Sequence, residues 1–164
     1  DNTCQTSTRK NLVQIVDELK AIISSADIKL PSHIPLEVSH HYGLDNFKEH
    51  GMGIITLINR SYAKKLLICV PGQKHPEQYH LRKEETFRLL YGDVALALDG
   101  QVTNMAVGDI ITVEKEVRHE FSTERGCVIE EISDTHFADD SFYTDEKINK
   151  NLDRKTVVTL YTGK

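Results

Sequence analysis

Along this chain the spacing of apolar residues changes once, from a helical period to a strand period. Leu12, Ile15, Val16, Leu19, Ile22 and Ile23 recur every three or four residues. That spacing stacks them on one face and predicts an amphipathic helix over residues 7–25. Ser7 or Thr8 is placed to cap its start, and Ser24-Ser25-Ala26-Asp27 weakens its end. The next segment, KLPSHIPLE, has two prolines and reads as extended linker.

Short β-rich runs follow at residues 53–59, 65–70, 86–91, 94–98, 110–113, 119–122 and 127–132, bounded by turn residues. Asp99-Gly100 is a strong hairpin signal. The final KTVVTLYTGK is read as one more strand at a sheet edge, and the acidic DTHFADDSFYTDE as a loop crossing the surface. One helix followed by many short strands predicts a mainly β chain, an antiparallel sandwich or barrel. Residues 1–35 are then helix and linker, and residues 36–164 the barrel domain.

Bulk properties narrow the function classes. At 164 residues the chain is large enough for one hydrophobic core. Its formal net charge of -5 argues against a nucleic-acid surface, which needs clustered Lys and Arg. No window approaches a membrane span of roughly 18 to 20 apolar residues. Cys4, Cys69 and Cys127 are odd in number and far apart in sequence, so no disulfide framework is expected and a reducing cytoplasm is the simplest compartment. A start at Asp1 rather than Met is read as processing, or as a cut from a longer polypeptide.

The chemistry concentrates between Gly72 and Gly92, which enclose His75, Glu77, Gln78, His80, Glu84 and Glu85. In a strand, Gln78 and His80 share a face and Tyr79 points away. Glu85 lies at an odd offset from His80, so a turn at residues 81–84 is needed to bring it back beside the imidazole. His119 follows Gly108 by eleven residues and arrives from a separate hairpin. Arg82, Lys83 and Glu84 read as an exposed turn, and His75 as an exposed loop residue. His40 and His41 are read as capping or packing groups, or as lining a pocket; His33 and His50 as surface residues. One of Lys64 and Lys65 reaches inward by strand parity, and at most one of Glu130 and Glu131 does the same.

These residues carry a resemblance. Gly72, Gln78, His80, Glu85 and Gly92 stand at the intervals of the first cupin motif, G-x5-H-x-H-x4-E-x6-G. Gly108, Glu114, Glu116, His119 and Thr123 fall on the second, of which only the glycine and the histidine are kept. The resemblance implies a double-stranded β-helix, a jelly-roll barrel with the N-terminal helix attached, holding one divalent metal on Gln78, His80, Glu85 and His119. Mn, Zn, Ni and Fe are the expected candidates. Gln78 replaces the family's usual histidine, and its harder oxygen donor suits Mn²⁺ or Mg²⁺ better than Zn²⁺.

Segments such as HHYGLDNF, PGQKHPEQYH and EEISDTHFADDSFYTD look like cupins of the D-lyxose ketol-isomerase type, and like those attached to N-acetylneuraminate (sialic acid) synthase-like proteins. The reading favoured here is a metal-binding, sugar-binding module of such a synthase, as part of a larger chain. The alternative is a stand-alone aldose–ketose isomerase in which Glu131 or Lys65 carries the proton. A cupin dioxygenase ranks last. The resemblance also implies a homodimer.

Overall fold

The computed structural model describes residues 2–163. Among these residues three α-helices, α1 (Asn2–Ser25), α2 (Phe47–His50) and α3 (Glu146–Lys150), and a short 3-10 helix (Leu44–Asn46) accompany twelve strands. The first six are β1 (His33–His40), β2 (Gly51–Asn59), β3 (Tyr62–Cys69), β4 (Lys74–Tyr79), β5 (Glu85–Gly92) and β6 (Val94–Leu98). The rest are β7 (Gln101–Met105), β8 (Ile110–Val113), β9 (His119–Ser122), β10 (Cys127–Asp134), β11 (Phe142–Tyr143) and β12 (Lys155–Tyr161). All pairings are antiparallel. One sheet runs β12-β1-β2-β3-β10-β5-β8 and the other β11-β4-β9-β6-β7, the two-sheet jelly roll that the motifs imply.

Side-chain parity explains why the central strands are apolar on both faces. On β3, Leu66 and Ile68 join Leu36, Val38, Ile55 and Val128 under the Ile15, Leu19 and Ile23 stripe of α1. The residues between them, Leu67 and Cys69, meet Phe87, Leu89, Leu96, Phe121 and Ile129 in the core between the two sheets. The large sheet is thus covered by a helix outside and by the small sheet inside. Burying each such side chain stabilises the fold by about 1.5–3 kcal/mol. Leu19 comes so near β2 that a Cβ on Gly53 would lie 2.8 Å from its Cδ1. Gly92 closes β5 at φ +85°, where an added Cβ would strike the Gly126 carbonyl oxygen.

Three expectations change. The helix begins at Asn2 rather than residue 7, so neither Ser7 nor Thr8 is its cap. The supposed linker contains β1, which ladders with both β12 and β2. Pro35 is tolerated there because the β2 ladder starts only at Glu37, which leaves the strand without a neighbour on that side. The acidic stretch is not all surface loop: Phe142–Tyr143 pairs with β4, and Asp140 and Tyr143 are buried. The terminal strand is at an edge, bonded only to β1. Cys69 and Cys127, distant in sequence, are register partners across β3 and β10 and remain free, buried thiols.

Candidate metal centre

Three strands converge at one end of the space between the sheets. The β4–β9 ladder sets Gln78 opposite His119. His80 follows β4 directly, the chain turns through residues 81–84, and Glu85 opens β5 on the facing sheet. The turn therefore does what the odd offset required. His119 Nε2 lies 2.8 Å and His80 Nε2 3.4 Å from Glu85 Oε1. His80, Glu85 and His119 are 4, 2 and 1% exposed. Their ligand atoms all fall within 4.8 Å of one another.

The tautomers follow from hydrogen bonds to carbonyls, which can only accept. His80 Nδ1 donates to the Asp140 carbonyl at 2.7 Å and His119 Nδ1 to the Val117 carbonyl at 3.0 Å. In the neutral rings each Nε2 is then a bare lone pair aimed at a carboxylate oxygen. His80 Nε2, His119 Nε2, Glu85 Oε1 and Gln78 Oε1 are all buried and none makes an aligned hydrogen bond. The two imidazole nitrogens and the Glu85 oxygen, facing one another, repel unless positive charge stands between them. Two imidazoles and a carboxylate with fixed outer partners, beside the buried amide oxygen of Gln78, fit a divalent cation. Burial would raise the Glu85 carboxyl and lower the His119 imidazole. The Glu131 carboxyl, the Lys83 ammonium and the two histidines instead hold Glu85 well below its ordinary range, and Glu85 raises His119.

Beside this group sits an arrangement that the sequence reading missed. Lys83 is no exposed turn residue: it is 5% exposed, with Nζ 2.9 Å from Glu131 Oε1 and 3.1 Å from Glu85 Oε2. Lys83 lies in the turn two residues before β5 begins at Glu85, and nothing local in the sequence marked it as inward-facing. Glu131 points inward, while Glu130 faces out to Lys64 at 3.0 Å and Arg88 at 3.2 Å. Burial, with Glu85 adding to it, pushes the Glu131 carboxyl up to about 7. Burial alone would lower the Lys83 ammonium, but Glu131 and Glu85 raise it, so it stays charged. Lys65 also reaches inward and lines the same cavity, its ammonium lowered chiefly by burial.

His75 is corrected too. It lies within β4, almost fully buried, with its ring stacked on Phe121 at 5.0 Å. Both His40 and His41 are buried: His40 bonds Thr156, and His41 bonds the His50 carbonyl and the Tyr143 hydroxyl. His33 is exposed and His50 half-buried. Tyr143 and His136 reach the cavity from the acidic stretch, and neither was singled out in sequence because nothing there marked them.

The cavity measures about 120 Å³ and is walled by Lys65, Gln78, His80, Lys83, Glu131 and Tyr143, among others. A larger groove of about 760 Å³ runs between α1 and the end of β12 but contains none of these groups. Volume therefore does not locate the chemistry; the convergent ligand atoms do.

Comparison with known proteins agrees with this architecture. Residues 66–128 match the family model for a cupin domain. The D-lyxose/D-mannose isomerase of Thermosediminibacter oceani is 28% identical, over 66% of this chain and 76% of that protein. The L-ribose isomerase of Cellulomonas parahominis, solved with L-ribose, superposes with a TM-score of 0.73 at 13% identity, covering 87% of this chain and 94% of that one. The L-ribose isomerase of Geodermatophilus obscurus gives 0.71 at 15%, covering 86% and 94%. At such identities the structural likeness shows the fold alone, a cupin-like two-sheet barrel. None of these relatives is a sialic acid synthase, so the comparisons favour the isomerase alternative over the synthase module.

Proposed function

We propose that this cupin is a divalent-metal-dependent aldose–ketose isomerase acting on a small free sugar. The observation that carries the reading is the convergence of the His80, Glu85 and His119 ligand atoms next to the buried Lys83–Glu131 pair. The likeness to a D-lyxose/D-mannose isomerase supports it. A cavity of about 120 Å³ also favours a single small sugar. Pockets for drug-sized ligands run to about 300–1,000 Å³, so a nucleotide sugar is poorly served here.

Gln78, His80, Glu85 and His119 would hold the ion. Once bound, such an ion supplies Lewis acidity toward sugar oxygens. The remaining work falls to the protein. Glu131, ionised, takes the proton from C2 of the open-chain aldose and returns it to C1, while the O2 hydroxyl proton passes to O1; the ketose is an isomer and nothing else is consumed. Lys83 holds its ammonium where negative charge develops on the sugar oxygens. Lys65, opposite Glu131 on the β3–β10 ladder, is the second candidate for proton transfer. Glu131 is preferred because a carboxyl near 7 ionises and reprotonates readily at neutral pH.

The test is incubation with Mn²⁺ and D-lyxose or D-mannose, followed by assay for the corresponding ketose. Ketose is expected from at least one of them. Absence of turnover across a panel of pentoses and hexoses removes the reading.

A further inference from the structure

The geometry points to Tyr143 as the residue that reads one sugar hydroxyl beyond the two reacting carbons, by accepting a hydrogen bond from it. The inference rests on the isomerase reading and adds a specificity contact to it. Tyr143 sits on β11 directly across the ladder from Gln78 and lines the same cavity. Among the described residues its hydroxyl has one partner, His41 Nε2 at 3.1 Å.

The direction of that bond is fixed from behind. His41 Nδ1 is 2.7 Å from the His50 carbonyl, which only accepts, so Nδ1 carries the hydrogen. Burial, with Arg154 and Lys155 nearby, keeps the ring neutral at ordinary pH. Nε2 is therefore a bare acceptor and the tyrosine O–H must donate to it. Ser39 Oγ also approaches Nε2, but at 3.5 Å it is the weaker rival. With its proton committed to His41, the Tyr143 oxygen offers only lone pairs to the cavity. A hydroxyl can satisfy them; an aldehyde or ketone carbonyl has no proton to give.

The acceptor is also held still. The Tyr143 N–H donates to Asn149 Oδ1 at 2.9 Å, and Asn149 Nδ2 returns a bond to the Tyr143 carbonyl at 2.8 Å. The Arg154 guanidinium lies 5.0 Å from the ring centroid. A preorganised acceptor loses little freedom on binding. A sugar lacking the matching hydroxyl leaves it buried and unpaired, which is a strong basis for rejection.

The experiment is calorimetric titration of the Mn²⁺-loaded protein, wild type and Tyr143→Phe, with D-lyxose and its 3-, 4- and 5-deoxy forms, with kcat and KM measured on the same sugars. Wild type is expected to bind one of the deoxy forms about tenfold more weakly than D-lyxose. Y143F should bind D-lyxose about tenfold more weakly and lose that discrimination, with the effect in KM and kcat nearly unchanged. If Y143F matches wild type on all four sugars, or weakens all four by one factor, the role of Tyr143 is overturned and the isomerase reading stands. A wild type that neither binds nor converts any of them, and converts neither D-mannose nor any other pentose or hexose, overturns both. Where D-mannose is the sugar converted, its deoxy forms replace those of D-lyxose with the same expected results.

Discussion

Lys83 Nζ and Glu131 Oε1 meet at 2.9 Å inside the barrel, and the same ammonium lies 3.1 Å from Glu85 Oε2, on the side of the His80 and His119 rings. One cation thus ties the proposed proton carrier to the proposed metal site. The same arrangement makes the pocket electrostatically expensive to disturb, because removing the cation leaves two carboxylates buried together.

Lys83→Met is accordingly expected to destabilise the fold by about 3–5 kcal/mol, the usual result of breaking a buried pair from one side. The double variant K83M/E131Q should recover most of that loss. Urea unfolding of the single and double variants checks this. Equal destabilisation in both would show that the two side chains are not coupled.

Glu131→Gln is expected to lower kcat about 10²–10⁴-fold with the fold intact by circular dichroism. In the proposed reaction the ionised carboxyl is the working form, and burial with Glu85 nearby pushes Glu131 up to about 7. Rate should therefore fall as pH drops through this region. A divalent ion on Glu85 offsets the charge that helps raise Glu131, so the metal-loaded enzyme should show this limb at or below about 7. A pH–rate profile of kcat in wild type, lacking an acidic limb, would count against Glu131.

His80→Ala and His119→Ala should each remove bound metal, measured by elemental analysis of protein purified without added ions. Gln78→His exchanges an amide oxygen for an imidazole nitrogen and should shift preference toward Zn²⁺ over Mn²⁺. Competition between the two ions in calorimetry reads that shift. Unchanged relative affinity would mean that Gln78 does not touch the ion.

His41 gives a pH dependence of stability. Burial pushes its imidazole down to about 4 from an ordinary 6.5, so the folded state binds fewer protons than the unfolded one between those values. Stability then falls as pH drops from about 6.5 to about 4, by about 3 kcal/mol from this group. His41→Asn should flatten that part of the curve. Urea midpoints of both proteins at pH 7.5 and pH 4 provide the comparison.

The fold was legible because most strands announced themselves by parity and turn residues, and the grouping of His80, Glu85 and His119, the proposed metal ligands, because of the motif intervals. Lys83 was hidden by its neighbours: Arg82, Lys83 and Glu84 together look like a solvated turn, and only pairing with Glu131, 48 residues away, shows why a lysine is buried there. His75 was hidden in the same way, since its stacking partner Phe121 comes from another hairpin. Prolines made β1 look like linker, whereas a strand can carry Pro35 where one edge is free. Tyr143 lies on a two-residue strand, too short to leave a periodic signal.

The most direct measurement is turnover of D-lyxose or D-mannose by protein stripped with a chelator and then titrated with Mn²⁺. Ketose formation should be absent after stripping and should return to a plateau at about one ion per chain in wild type, but not in His119→Ala. Full activity in the stripped protein, or recovery in H119A equal to wild type, would contradict the account.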